Sequence, residues 1–403
     1  MLNILIGDKF EKSGIDGLES LGCRVVSLPE VGEAGLPDAL AQHDPDILVV
    51  RSTKVRSAAF ERAKKLSLVI RAGAGFDNID LVAASARGIS VATCPGKNSI
   101  AVAELVWGLI LACDRRIADQ TGELRAGKWN KKEYSKARGL FGRTLGIIGL
   151  GQIGMEVATR GKAFGMNVNA TSINFDQAKS RALGIGFCPT LIDLAHVSDV
   201  ISVNVAASDE TRHLIDESFC RAMKPGTIFV NTSRGSVVDE GALLKAVREK
   251  GVRCGLDVFE GEPGAGTADW KSELSSSPAV TGTHHIGAST DQAQQAIAAE
   301  VVRIVREFKE TGEAPNVINL AAKTKATRLL VVRHLNRPGV LAHVVGEIGR
   351  ANINIEDMEN VIYQGAEAAC ARIKLGAEPS AAAMQAIRSG SPHILSVDLT
   401  AIE

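Results

Sequence analysis

The run Leu145-Gly146-Ile147-Ile148-Gly149-Leu150-Gly151-Gln152-Ile153-Gly154 decides how this chain is read. An apolar strand passes straight into a G-x-G-x-x-G turn, and residues 155–164 continue it as a helix. Gly149 allows the tight turn, Gly151 lets backbone approach a diphosphate, and Gly154 lets helix pack on strand. A pyrophosphate then rests on unpaired N–H groups at the positive helix end, with Gln152 and Ile153 in the first turn. The six-residue pattern alone is a weak signal; its setting between strand and helix makes it a dinucleotide-binding site. More than a third of the chain precedes it, so the nucleotide-binding domain is not the N-terminal one.

Upstream, short β-branched runs at 3–8, 24–28, 46–51, 68–72 and 89–93 alternate with helical stretches such as 60–65 and 81–87. This alternation implies parallel βαβ units with right-handed crossovers, a doubly wound, flavodoxin-like α/β domain ending near Pro95. Residues 99–113 are apolar on every face except Glu104, which predicts a long buried helix crossing between two domains. Downstream, strands at 166–172, 199–205, 227–231 and 254–259 alternate with helices at 192–196, 217–223 and 241–250 in a second doubly wound parallel sheet, a Rossmann domain. A long helix from 291 to about 309 follows. If it returns to the first domain, residues 1–98 plus 286–318 form a discontinuous substrate-binding domain and 99–285 an inserted dinucleotide-binding domain. The site then lies in the cleft, at the carboxyl ends of the second sheet's strands. Beyond a linker at 321–327, segments at 329–332, 339–349, 353–358, 368–373, 380–388 and 394–399 predict a βαββαβ ferredoxin-like unit over 326–403. Its open edge strands favour pairing with a second copy.

With 45% hydrophobic and 23% charged residues, the 403-residue chain can bury more than one ordinary core. Lys plus Arg equals Asp plus Glu at 46 each with no long basic run, which argues against a nucleic-acid or anionic-membrane surface. Seven cysteines lack C-x-x-C spacing and sit mostly among apolar neighbours, so free buried thiols in a reducing cytoplasm are expected, and no metal site. The first residues lack a basic segment and no apolar run attains about 18 residues, so neither a signal peptide nor a membrane span is expected.

Six segments carry a resemblance: Arg51-Ser52-Thr53; Arg71-Ala72-Gly73-Ala74-Gly75-Phe76-Asp77-Asn78; Gly149 to Gly154; Asn231-Thr232-Ser233-Arg234-Gly235; Asp257-Val258-Phe259 with Glu262-Pro263; and His285-Ile286-Gly287-Ala288-Ser289-Thr290. Along nearly its whole length the chain resembles the D-2-hydroxyacid dehydrogenases, and among them the phosphoglycerate dehydrogenases with a C-terminal ACT domain. The resemblance implies reversible NAD-dependent oxidation of 3-phospho-D-glycerate to 3-phosphohydroxypyruvate, the first step of the phosphorylated route to L-serine. It assigns Arg234, Glu262 and His285 to catalysis.

Hydride transfer explains those residue types. Oxidising a secondary alcohol needs a base for the hydroxyl proton while hydride leaves to the nicotinamide C4. An imidazole at His285 suits that task near neutrality. Glu262 on the other ring nitrogen would fix the tautomer and stabilise the imidazolium. Arg234 offers a planar fork that holds the substrate carboxylate and polarises the developing carbonyl. Singly, His285 reads equally as a structural histidine, Glu262 before Pro263 as a solvated turn residue, and Arg234 as a surface arginine; the constellation decides. His284 stands where relatives usually have proline, and catalysis is assigned to His285 because it precedes Ile286-Gly287.

Arg51 and Ser52 at a strand end, and the glycine-rich bend from Ala72 to Gly75, Gly73 included, with its backbone N–H groups, are candidates to anchor substrate. The resemblance adds Asn98, and sets Trp129, Lys131 and Lys132 where the family brings a lysine in from a neighbouring subunit; the alternative is an exposed basic loop. On the cofactor side, the acid expected about 20 residues after the glycines is replaced by Ser172, and Asp176 comes four residues later. NAD is expected over NADP, with dual use open. Thr232 and Asp257, the latter after the fifth strand, are expected near the nicotinamide carboxamide; for Asp257 the alternative is a strand-terminal cap. In the third unit the resemblance implies that His334, Asn336 and Asn354 bind an amino-acid effector, L-serine by expectation, at an interface between two ACT domains in a homo-oligomer. The plainer reading is dimerisation alone. Two other functions stay open: a dehydrogenase for glyoxylate or hydroxypyruvate, and a non-catalytic, corepressor-like dinucleotide sensor.

Overall fold

The computed structural model describes residues 1–264, 266–321 and 324–402; residues 322 and 323 of the expected linker, and Glu403 of the expected third unit, lie outside the described residues. The chain forms two compact units, Met1–Asn319 and Leu320–Glu403.

In the first unit, β1 (Asn3–Ile6), α1 (Lys12–Ser20), β2 (Arg24–Ser27), α2 (Gly32–His43), β3 (Ile47–Val50), α3 (Ser57–Arg62), β4 (Leu68–Arg71), α4 (Leu81–Ser85) and β5 (Ser90–Thr93) build a parallel sheet in the order β2-β1-β3-β4-β5. That is the flavodoxin-like order. Every residue of β3 is buried, as a strand covered on both faces requires.

From there α5 (Ser99–Arg115) leads out, with nine buried residues from Ser99 to Cys113. The helices α6 (Ile117–Arg125) and α7 (Lys131–Tyr134) follow, and then the second sheet. Its elements are β6 (Thr144–Ile148), α8 (Gln152–Ala163), β7 (Asn167–Thr171), α9 (Gln177–Leu183), β8 (Gly186–Phe187), α10 (Leu191–Val197), β9 (Val200–Val203), α11 (Glu217–Ala222), β10 (Ile228–Asn231), α12 (Glu240–Lys250), β11 (Arg253–Leu256) and β12 (Val280–Gly282). The strands are parallel in the order β12-β11-β10-β9-β6-β7-β8, a Rossmann sheet extended by one strand. The two-residue β8 was not expected, and it makes β11 the sixth strand of this sheet rather than the fifth.

The long helix α13 (Asp291–Thr311) brings the chain back: its Ile297, Val301, Ile304 and Val305 share one core with Ile4, Ile6, Ile47 and Ile70 of the first sheet. Val317 then bridges Ala92 of β5.

The second unit contains β13 (Arg328–Leu335), α14 (Val340–Arg350), β14 (Ile355–Ile362), β15 (Ala368–Leu375), α15 (Ala381–Ser389) and β16 (Ile394–Ala401). The sheet is antiparallel in the order β14-β15-β13-β16, the expected ferredoxin-like arrangement. Its core joins Leu330, Val332, Ile373 and Leu375 to Val344 and Ile348 of α14 and Met384 and Ile387 of α15. All seven cysteines are buried and unpaired. No helix among the described residues is long and apolar enough to cross a membrane.

Candidate active site

Turns after β3, β4, β6, β10, β11 and β12 line one cleft of about 1420 Å³. Strand carboxyl ends therefore supply the walls, as open parallel sheets dictate. On the nucleotide side Gly149 adopts φ 88°, and a Cβ on Gly154 would stand 2.2 Å from the Gly149 carbonyl oxygen, so helix α8 can pack this closely only without one. A Cβ on Gly151 would meet nothing within 4 Å. That open space above the first turn of α8 is what a diphosphate needs, so Gly151, Gln152 and Ile153 fit a dinucleotide. The Gln152 side chain also lies over Gly96, near the start of α5. Ser172 sits just beyond β7 and outside the residues that line the cleft. Asp176 does not fold back to replace the missing acid; its carboxylate accepts the Lys179 N–H at 2.8 Å and caps α9.

The catalytic candidates converge. His285 Nδ1 pairs with Glu262 Oε1, while Glu262 Oε2 accepts the Phe259 N–H at 2.8 Å. A proton on Nδ1 held by this carboxylate leaves Nε2 as the basic nitrogen. The backbone at His285 is left-handed, φ 52°, and its N–H donates to the Asp257 carbonyl at 2.8 Å. The Asp257 carboxylate, 1% exposed, accepts from Thr283 Oγ1 at 2.6 Å and from the N–H groups of Ile286 and Gly287 at 2.8 Å each. Both its oxygens thus bind the His285 loop, the work of the strand-terminal cap. Thr232 lines the cleft beside the turn that carries Arg234. Asn231, 1% exposed, shapes that turn: its Oδ1 accepts from Ser233 N and Oγ, and its Nδ2 donates to the Arg234 carbonyl. Arg234 reaches across the cleft to Asp77, with Nη2 at 2.9 Å and Nε at 3.2 Å from Oδ1.

On the substrate side, the N–H groups of Arg51, Ser52 and Thr53 all point to Asp8 Oδ2 at 2.7, 3.1 and 3.1 Å. An internal carboxylate therefore fills that nest, and Arg51 and Ser52 face the cleft with their side chains. Arg51 Nη2 lies 3.3 Å from Ser289 Oγ. Within the bend from Ala72 to Gly75, the Gly73 N–H donates to the Arg71 carbonyl at 2.8 Å, and its missing Cβ makes room for the Arg71 guanidinium, whose Nη1 would lie 1.7 Å from one. Arg71 was quoted in the motif but not expected at the site. Its Nε and the Oδ1 of Asn98 are buried without a partner among the described residues. Burial, with Arg234 nearby, brings the Arg71 pKa down to about 10. Trp129, Lys131 and Lys132 are exposed and outside this chain's own cleft.

In the second unit His334 is 1% exposed, with Nδ1 2.8 Å from the Leu335 carbonyl and Nε2 3.2 Å from Asn360 Oδ1. Both ring nitrogens are engaged inside the sheet, so an effector could reach them only by displacing those contacts. Asn336 donates to the Ala366 carbonyl and Asn354 to Glu356. The strand register puts His334 opposite Ala369 and Asn354 beyond the pair Ile355–Leu375, at opposite ends of the sheet. One copy does not bring the three together.

Two parallel sheets whose carboxyl ends face each other across a dinucleotide cradle, an arginine and a Glu–His pair define a two-sheet nucleotide-binding α/β protein. The chain belongs to the D-isomer specific 2-hydroxyacid dehydrogenase family, whose NAD binding domain matches residues 107–287. It is 45% identical over 270 residues to a hydroxypyruvate reductase from Thermotoga maritima, 66% of this chain and 85% of that protein. It is 38% identical over 329 residues to a D-3-phosphoglycerate dehydrogenase from Methanocaldococcus jannaschii, 79% of this chain and 60% of that protein's length. Among solved structures, a glyoxylate reductase from Paecilomyes thermophila has a TM-score of 0.70 at 30% identity, covering 79% of this chain and 98% of that one.

Proposed function

We propose that this chain is an NAD(P)-dependent D-2-hydroxyacid dehydrogenase and that its substrate is 3-phospho-D-glycerate, oxidised reversibly to 3-phosphohydroxypyruvate. The observation that carries the reading is the Glu262–His285 pair facing Arg234 in a cleft that also holds Arg51 and Arg71. The bound nicotinamide would accept the hydride. His285 Nε2 takes the hydroxyl proton and returns it in reduction, Glu262 steadies the imidazolium, and Arg234 holds the carboxylate. Three arginines line the cleft, more than one carboxylate requires; this supports a phosphorylated substrate. In this reading residues 1–98 with 286–318 hold the substrate, 99–285 hold the dinucleotide, and 326–403 form an ACT domain that assembles a homo-oligomer and answers to L-serine. The Thermotoga relative supports a second reading, a reductase of hydroxypyruvate, and the Paecilomyes structure supports one of glyoxylate.

The test follows nicotinamide absorbance with 3-phosphohydroxypyruvate, hydroxypyruvate and glyoxylate, using NADH and NADPH. The phosphorylated acid is expected to lead in kcat/KM by at least about tenfold, an effect within reach of one charge-assisted contact. Parity or reversal establishes the second reading. Tight dinucleotide binding without turnover of any of the three would instead make the chain a sensor. Ser172 removes the repulsion that excludes a 2′-phosphate without supplying a cation, so NADH is expected to be preferred; a preference for NADPH of more than about tenfold would reverse this.

A further inference from the structure

We propose that Asp77 is a positioning residue that holds Arg234 ready for the substrate carboxylate. The inference rests on the reading of Arg234 as the group that grips that carboxylate.

A guanidinium has five N–H donors in one plane. Asp77 takes two of them, from Nε and Nη2, on the side fork. The Ser233 carbonyl takes a third, from Nη1 at 2.7 Å. One N–H on each terminal nitrogen stays unclaimed, two donors to match a carboxylate's two oxygens. Asp77 thus fixes the plane of the group from the Nε–Nη2 edge and leaves donors on the terminal nitrogens to a ligand. Gly75 completes the fit, since a Cβ there would lie 2.3 Å from Arg234 Nη2.

Charge supports the same assignment. The cleft holds Arg51, Arg71 and Arg234, and two of its acids are already engaged, Glu262 by His285 and Asp257 by the loop. Asp77 is the acid that faces the arginines. Partial burial works against its ionisation, yet the hydrogen bonds and charge of Arg234 hold its carboxyl below the ordinary range. It stays anionic wherever the enzyme works, and offsets the repulsion among the arginines while the cleft waits for an anion.

The experiment measures oxamate binding to the NADH-bound full-length protein by quenching of NADH fluorescence, together with kcat and KM for the best keto acid. Asp77→Asn is expected to raise both the oxamate Kd and KM about tenfold, with a smaller fall in kcat, because one charge-assisted fork is lost. NADH affinity and the melting temperature stay at wild-type values, and Asp77→Glu restores most of the loss. In an Arg234→Gln background, Asp77→Asn should add less than about twofold, the non-additivity of two residues acting as one unit. An equal loss in both backgrounds, or normal oxamate binding by Asp77→Asn, overturns the proposal. Normal oxamate binding by Arg234→Gln alone removes the reading of Arg234 and the proposal with it, a result distinguishable from the other two.

Discussion

His284 and His285 are neighbours in sequence beyond the end of β12, and the described bonds separate them. His285 carries a left-handed backbone and a carboxylate on Nδ1, whereas no described residue bonds the exposed His284 ring. A base is useful only when its tautomer and direction are fixed, and Glu262 fixes both for His285. His285→Asn is therefore expected to lower kcat by about 10²- to 10⁴-fold, the range ascribed to a positioned general base, with NADH affinity unchanged. His284→Asn should stay within about threefold of wild type, as for a residue outside the proton path. Single-turnover reduction of a keto acid measures both, and equal losses would move the base assignment to the histidine pair as a whole.

At the scale of elements, three passes of the chain meet at Glu300. It lies on α13, 5% exposed, and receives Arg303 at 2.7 Å, Asn316 Nδ2 at 2.9 Å and Lys97 Nζ at 3.3 Å. Lys97 precedes α5 and Asn316 adjoins the strand-like bridge to β5, so one carboxylate ties together the outward crossing, the return helix and the final strap. The hydrogen bond from Arg303, ahead of Lys97, outweighs burial and takes the Glu300 pKa from 4.5 down to about 2. A depressed carboxyl stabilises fully above its ordinary pKa and loses that contribution as pH falls toward the folded value. Glu300→Gln should lower the melting temperature by about 5 °C at pH 7, and the gap should shrink steadily below pH 4.5; a gap independent of pH would show that Glu300 acts by packing alone. None of these partners was legible in the sequence, whereas the elements they join largely were. Buried parallel strands such as Ile47–Val50 are β-branched runs that announce themselves. The helix α2 did not, with Pro37 inside it and three buried residues, and β8 is only two residues long. The same division holds at the site. Arg234, Glu262 and His285 came from the family resemblance and follow strand ends; Arg71 and Asp77 stand in one of its motifs without a role there, because the partner of Asp77 is Arg234, 157 positions away, and Asp8 leaves no local pattern at all. At Gly73 the structure adds what the sequence did not show, the space that its missing Cβ leaves for Arg71.

For the molecule as a whole, the proposed regulatory site must be shared between copies. Along β13, Arg328 pairs with Leu375 and Leu335 with Ala368, while on the other side of β15 Ile355 pairs with Leu375 and Ile362 with Ala369. Asn336, just beyond Leu335, and Asn354, just before Ile355, therefore leave the sheet at opposite ends. A molecule as small as L-serine cannot touch both within one chain, but it can where two copies meet with the ends of their sheets exchanged. A twofold assembly of this kind yields two equal sites, each with Asn336 from one chain and Asn354 from the other. Asn336→Ala and Asn354→Ala should each abolish inhibition by millimolar L-serine while leaving turnover intact. Their co-assembled mixture should recover part of it, because a mixed pair holds one doubly altered site and one intact site. Recovery on mixing is the decisive readout: a site built within a single chain gives none, and a wild-type protein indifferent to L-serine leaves the C-terminal unit an assembly module.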